Sequence, residues 1–272
     1  MKRRTFLATG AASLAAVAGC LGQGGGGETA AEGTTTPWSG YSQYTPTDGD
    51  TDGYPPEFDQ QPSERDIDTD SFETVEEGGV QVPLAPIDAT HYWYRRGEAR
   101  FADARGPRSY EAAHVYGAVL SPAPEKYRAP NDPLRDWPKD DRIVCYCGCP
   151  HHLSSIRASQ LIQNGYENVY VIDEGFGEWR ARGYAMAGTD VENPPKKWTI
   201  QGDTAADLAG ENAWARHRPT GQVESTDIAA DGSYELHLKF HDVGPDSTVE
   251  VETPSYTVEG TLRELTAGTV QG

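Results

Sequence analysis

Between Val80 and Gly183 short apolar runs alternate with stretches of helical spacing, and few folds accommodate that alternation. Strands are expected at Val80–Leu84, Arg100–Ala104, Gly117–Leu120, Arg142–Cys147 and Asn168–Ile172. Helices are expected at His91–Arg96, with Asp88 as N-cap and Gly97 as stop, then at Ser109–Ala113, Leu153–Gly165 and Phe176–Arg182, the last closed by Gly183. Strands that alternate with helices through short loops imply a parallel sheet covered on both faces. The run Arg142–Cys147 ends on a cysteine, and a helix begins a few residues later. Sites in such sheets sit at the carboxyl ends of strands, where the N–H groups of the next helix favour a negative charge. A thiolate placed there has a lowered pKa and is a nucleophile at neutral pH, so Cys147 is the candidate reactive residue.

Three segments in order resemble the rhodanese-like family. Phe101-Ala102-Asp103-Ala104-Arg105, with Tyr110 to Ala118 after it, is similar to the first signature; Ile143 to Cys147 is similar to the strand that delivers the catalytic cysteine; Gly165 to Tyr170, with Glu174 to Trp179 and Gly183, is similar to the closing signature. The resemblance runs from about 80 to 188. It implies an α/β fold, a rhodanese-like parallel sheet with helices on both faces. It also implies a persulfide on Cys147, filled from a small sulfur-containing donor such as thiosulfate and emptied to a thiol or cyanide-like acceptor. No cofactor and no resident metal belong to that chemistry. Asp103 and Arg105 would support the loop from the neighbouring strand end.

The loop departs from the family pattern. Where a glycine and an arginine are expected, the chain reads Gly148-Cys149-Pro150-His151-His152-Leu153-Ser154. These residues are the candidate anion-binding loop, with His151 and His152 in place of the missing cation. Leu153 stands where a Cys-x5-Arg phosphatase needs its arginine, which argues against that activity. Arg157 falls inside the helix. Cys149 reads either as a resolving thiol across a strained ring or as a small apolar residue; Cys145 reads as core. Two other classes use the same residues: a metal-binding protein with Cys147, Cys149, His151 and His152 as ligands, and a non-catalytic binding protein that keeps the domain for its surface.

The rest of the chain sets the context. Residues 1–20 read as an export signal. Arg3-Arg4-Thr5-Phe6-Leu7 opens it in twin-arginine fashion, and Val17-Ala18-Gly19-Cys20 resembles a lipobox that would place lipid on Cys20 and the protein on the outer face of the cytoplasmic membrane. Residues 21–75, rich in Gly, Thr, Asp and Pro, read as a disordered acidic tether. Residues 76–190 are assigned to the rhodanese-like domain. Residues 195–272, with alternation at Tyr234–Phe240 and Thr248–Glu252, are assigned to a small antiparallel β module. Its His217, His237 and His241 read as sheet-surface residues. A net charge of −19, with six lysines against seventeen arginines, resembles halophilic composition and excludes nucleic acid as a partner, because phosphate contacts need clustered cations.

Overall fold

A computed structural model describes residues 52–125, 128 and 132–272, and these described residues group as a single compact unit. The signal, the lipobox and the first part of the expected tether lie outside the described residues. The N-terminal half contains, in chain order, β1 (Thr74–Glu77), β2 (Val80–Ala85), α1 (Ile87–Arg96), β3 (Arg100–Asp103), α2 (Pro107–Ala112), β4 (His114–Val115), β5 (Val119–Leu120), β6 (Arg142–Tyr146), α3 (His152–Gln163), β7 (Asn168–Ile172), α4 (Gly175–Ala181) and β8 (Met186–Ala187). Its main sheet has the order β1-β2-β7-β6-β3-β5. From β2 onward every pairing is parallel; β1 is antiparallel to β2. The expected parallel sheet is therefore mixed at one edge.

Side-chain alternation along the strands explains the layering. Val144 and Tyr146 on β6, with Tyr170 and Ile172 on β7, pack on the face that α1 and α4 cover through Trp93, Tyr94 and Trp179. Ile143 and Cys145, with Val169 and Val171, face α3 through Ala158 and Leu161. Both faces of these strands are dry, as continuous apolar runs require.

Two expectations are corrected. Asp88 does not cap α1. The helix starts at Ile87 with Pro86 in the N-cap position, two residues earlier, and the Ile87 amide donates to the Glu174 carboxylate at 2.9 Å, so the capping group comes from the start of α4 rather than from the local turn. Residues 52–75 are not free of the domain. The Phe101 amide donates to Gly53 O at 2.7 Å, Phe58 meets Tyr94 edge-on at 5.7 Å, and Phe72 lies 6.0 Å from Trp93. The scattered aromatics supply the apolar area that the composition of this stretch otherwise lacks.

The C-terminal half contains β9 (Trp198–Asp203), β10 (Asn212–His217), β11 (Gln222–Asp227), β12 (Ser233–Leu238), β13 (Thr248–Glu252), β14 (Thr257–Thr261), α5 (Leu262–Leu265) and β15 (Thr269–Val270). A four-stranded antiparallel sheet, β11-β10-β13-β14, shares one core with a three-stranded sheet, β12-β9-β15. Only the β9–β15 pairing is parallel. The core holds Ile200, Ala213, Leu236 and Val251. A separate apolar cluster joins the halves: Ala104, Cys147, Cys149 and Leu153 pack with Val223 of β11. The β module thus sits on the cysteine loop.

Candidate active site

β6 stops at Tyr146, and Cys147 begins the loop at its carboxyl end. The chain turns at His151, whose φ of 37° is left-handed, and α3 starts at His152. The start of α4 is pressed against the loop: the Phe176 amide donates to Cys147 O at 2.9 Å. A Cβ at Gly175, where φ is +74°, would stand 2.6 Å from Cys149 O. No side chain fits there, which gives Gly175 in the closing segment a physical reason.

Cys147 is fully buried. Burial alone would raise its pKa. Hydrogen bonds from the Cys149 and Ser154 side chains and from the Ser154 and Cys149 amides outweigh it and lower the value to about 6. Ser154 Oγ is 3.4 Å from Sγ, and in the neutral form the thiol donates to Cys149 O at 3.0 Å. Alkylation of Cys147 by iodoacetamide is expected to accelerate as pH rises through about 6 and to level off above it, well below an ordinary thiol. Mass mapping of the adduct over pH 4 to 9 checks this; a midpoint at the ordinary thiol value would contradict the cradle.

Asp103 and Arg105 form a buried pair under the loop. Asp103 Oδ1 accepts from the Arg105 amide at 3.0 Å and from Nε at 2.9 Å, and Oδ2 accepts from the other guanidinium arm at 2.6 Å. Arg105 also donates to Ala113 O at 2.7 Å and lies over the Phe176 ring. Its charge is close enough to be raised in pKa by the Cys147 thiolate, after burial and Asp103 have acted.

The histidines do not replace the missing cation. His151 Nε2 is 3.5 Å from Asp173 Oδ1, in a half-exposed contact. His152 is held below its usual pKa, by burial first, and its Nδ1 is 3.6 Å from Cys149 Sγ. Leu153 is a buried apolar contact. Arg157 serves α3, donating to Asp132 at 2.7 Å and to Ser121 at 2.9 Å. Cys145 is core, its pKa pushed up to about 12 by burial.

Positive charge comes instead from elsewhere. A cavity of about 200 Å³ opens beside Gly148 and is lined by Arg105, Arg180 of α4, and Glu224, Lys239 and His241 of the β module. Lys239 Nζ donates to Gly148 O at 2.6 Å. His241 is lowered to about 4, by burial and then by Arg105, Arg108 and Arg180, and the lining gathers Arg105, Arg180 and Lys239 in a strongly acidic chain. Glu224 is buried on β11, and burial followed by the Cys147 charge raises it to about 8. Cys149 Sγ, one His152 nitrogen and a Glu224 oxygen all lie within 4.8 Å of one another, a donor set that a divalent cation also fits. Reading the sequence missed Glu224, Lys239 and Arg180, and it placed His241 on a sheet surface, whereas His241 is buried in the cavity lining. Only Arg180 had a signal, its place in the closing helix.

Residues 90–182 match the family model described as the rhodanese-like domain. These residues form a rhodanese-like domain. Among solved structures, similar chains include a Bacillus halodurans protein (21% identity over 39% of this chain and 77% of that one, TM-score 0.35). A rhodanese-like domain of an Anabaena protein is 20% identical over 42% and 85%, with TM-score 0.35. A thiosulfate sulfurtransferase from Pseudomonas aeruginosa is 22% identical over 39% of this chain and 20% of its own, with TM-score 0.33.

Proposed function

We propose that the chain is a sulfurtransferase that forms a persulfide on Cys147. The observation that carries this is the convergence of Ser154 and loop amides on a sulfur already stabilised as an anion. Such a thiolate attacks the outer sulfur of thiosulfate, sulfite leaves with the bonding electron pair, and Cys147 holds the persulfide anion. The loop donors that hold the thiolate would also hold that anion. Arg180 and Lys239 would attract the dianionic donor in place of the absent loop arginine. A thiol or cyanide then removes the sulfane sulfur. Because Cys147 is fully buried, reagents reach it when the loop or the module above it shifts.

The test is a burst assay. Protein mixed with excess thiosulfate should release one equivalent of sulfite, and prior alkylation of Cys147 should prevent it. No burst from reduced protein would sink the reading. Arg180→Gln should raise the KM for thiosulfate about tenfold while changing kcat little, as loss of one charge-assisted contact predicts. Steady-state kinetics at fixed ionic strength checks this.

We further propose, from the sequence alone, export and lipid anchoring at Cys20 on the outer face of the cytoplasmic membrane. Membrane fractionation of wild type and Cys20→Ser tests it; release of the variant into the soluble fraction is the expected result, and equal retention would overturn it.

A further inference from the structure

Transfer of sulfur through Cys147 leaves the second thiol of the loop unused. Cys149 is buried in the same apolar cluster as Cys147, and its Sγ lies within 4.8 Å of a Glu224 oxygen and of a His152 nitrogen. Cysteines two apart on an extended strand line the same face with Cα atoms roughly 6.6 Å apart, at the long limit for a disulfide, which argues against a bridge between them on sequence grounds. That limit stops at Tyr146, where β6 ends, and in the turn beyond it Cys147 and Cys149 are buried in one cluster. Glu224 arrives from the β module and accepts its one backbone contact from the adjoining Ser225 amide at 3.1 Å. A carboxyl so deeply buried with so little compensation is costly to retain, and it lies against a thiol proton.

We propose that Cys149 is a resolving thiol, which attacks Cys147 Sγ of the persulfide, expels the sulfane sulfur as hydrosulfide and closes a Cys147–Cys149 disulfide, with Glu224 accepting the Cys149 proton. The Cys149–Cys147 sulfur bond forms as the bond between Cys147 and the sulfane sulfur breaks. The sulfane sulfur is reduced to sulfide, and the two cysteine sulfurs are oxidised to disulfide. The proton leaves Cys149 through Glu224 and passes to the departing hydrosulfide. An external dithiol or monothiol reductant reopens the bridge, and a bridge between residues so close in sequence is strained and easily reduced. The chain would then release sulfide from a sulfane donor at the expense of thiol reductant, an activity beyond simple sulfur transfer. The inference rests on the persulfide chemistry proposed above.

The experiment uses the full chain, reduced, treated with chelator and desalted, then mixed with thiosulfate. Sulfite, sulfide and intact mass are followed together. The wild type should release one equivalent of sulfite and one of sulfide, and end two hydrogens lighter than the reduced protein. Cys149→Ser, which alters one donor of the thiolate cradle, should release its one equivalent of sulfite at a changed rate, give no sulfide, and keep a stable gain of one sulfur atom. Glu224→Gln, at a residue that lines the cavity, should still complete one equivalent of sulfite, which also shows that it is folded, but the rate of sulfide release relative to sulfite release should fall about a hundredfold while persulfide accumulates. Glu224→Asp should recover part of that rate. A wild type that retains the added sulfur and yields no sulfide overturns the inference and leaves the sulfurtransferase reading standing. Absence of sulfite from every variant overturns both.

Discussion

Cys147→Ser is expected to abolish sulfite release from thiosulfate, reducing turnover by at least about a thousandfold, because a serine hydroxyl at neutral pH has no anionic form to attack sulfur. The fold should survive. Cys147 is a small buried side chain whose replacement changes little volume, and Ser154 Oγ and the loop amides can bond a hydroxyl as they bond the sulfur. Thermal unfolding beside the burst assay separates the two effects. Retention of more than a few per cent of the burst with an unchanged melting temperature would move the chemistry to another residue.

Asp103→Ala is expected to have the largest effect on stability. Asp103 accepts three hydrogen bonds from Arg105, and its carboxylate is fully buried. Its removal leaves a buried guanidinium with Ala113 O as its remaining carbonyl partner. Breaking a buried pair in this way costs about 3–5 kcal/mol, since the orphaned charge keeps its desolvation penalty. For a protein of this size the melting temperature should fall by roughly 10 °C. The double variant Asp103→Ala with Arg105→Met should recover much of that loss, because no charge is then stranded. If the single variant melts within a degree or two of wild type, Arg105 has found solvent or another acceptor, and the pair does not brace the loop. Arg105 also places its charge near Cys147, so the single variant, which leaves that charge uncompensated, should shift the midpoint of Cys147 alkylation to lower pH.

Much of the N-terminal half was legible because its signals are local. The alternation Ile143, Val144, Cys145, Tyr146 reads as a strand dry on both faces, and the position of Cys147 follows from a strand that stops before a helix. What was illegible depends on chain segments meeting from far apart. Asp88 had every local mark of an N-cap, yet Glu174 satisfies the Ile87 amide from α4, 87 residues away. His151 and His152 sit next to the sulfur in sequence, but Asp173 and burial respectively decide what they do. Glu224 lies in Gln222–Asp227, where five successive residues are buried instead of every second one, because β11 is covered on both sides. An isolated strand pattern holds no trace of that covering. Arg180 and Lys239, proposed to act in place of the loop arginine, reach the cavity beside Gly148 by position in space rather than in sequence.

The placement of β11 and Lys239 over the loop makes the proposed catalytic unit larger than the stretch the family model covers. A chain cut near residue 195 would retain Cys147 and its cradle but would lose Glu224, Lys239 and His241. Its loop would be open to water, so its thiol should react faster with small alkylating agents while binding thiosulfate more weakly. Grafting the loop into a stand-alone rhodanese-like scaffold would fail for the matching reason. Variation in the β module is then coupled to variation in the cysteine loop, and the two halves are expected to tolerate substitution only in step.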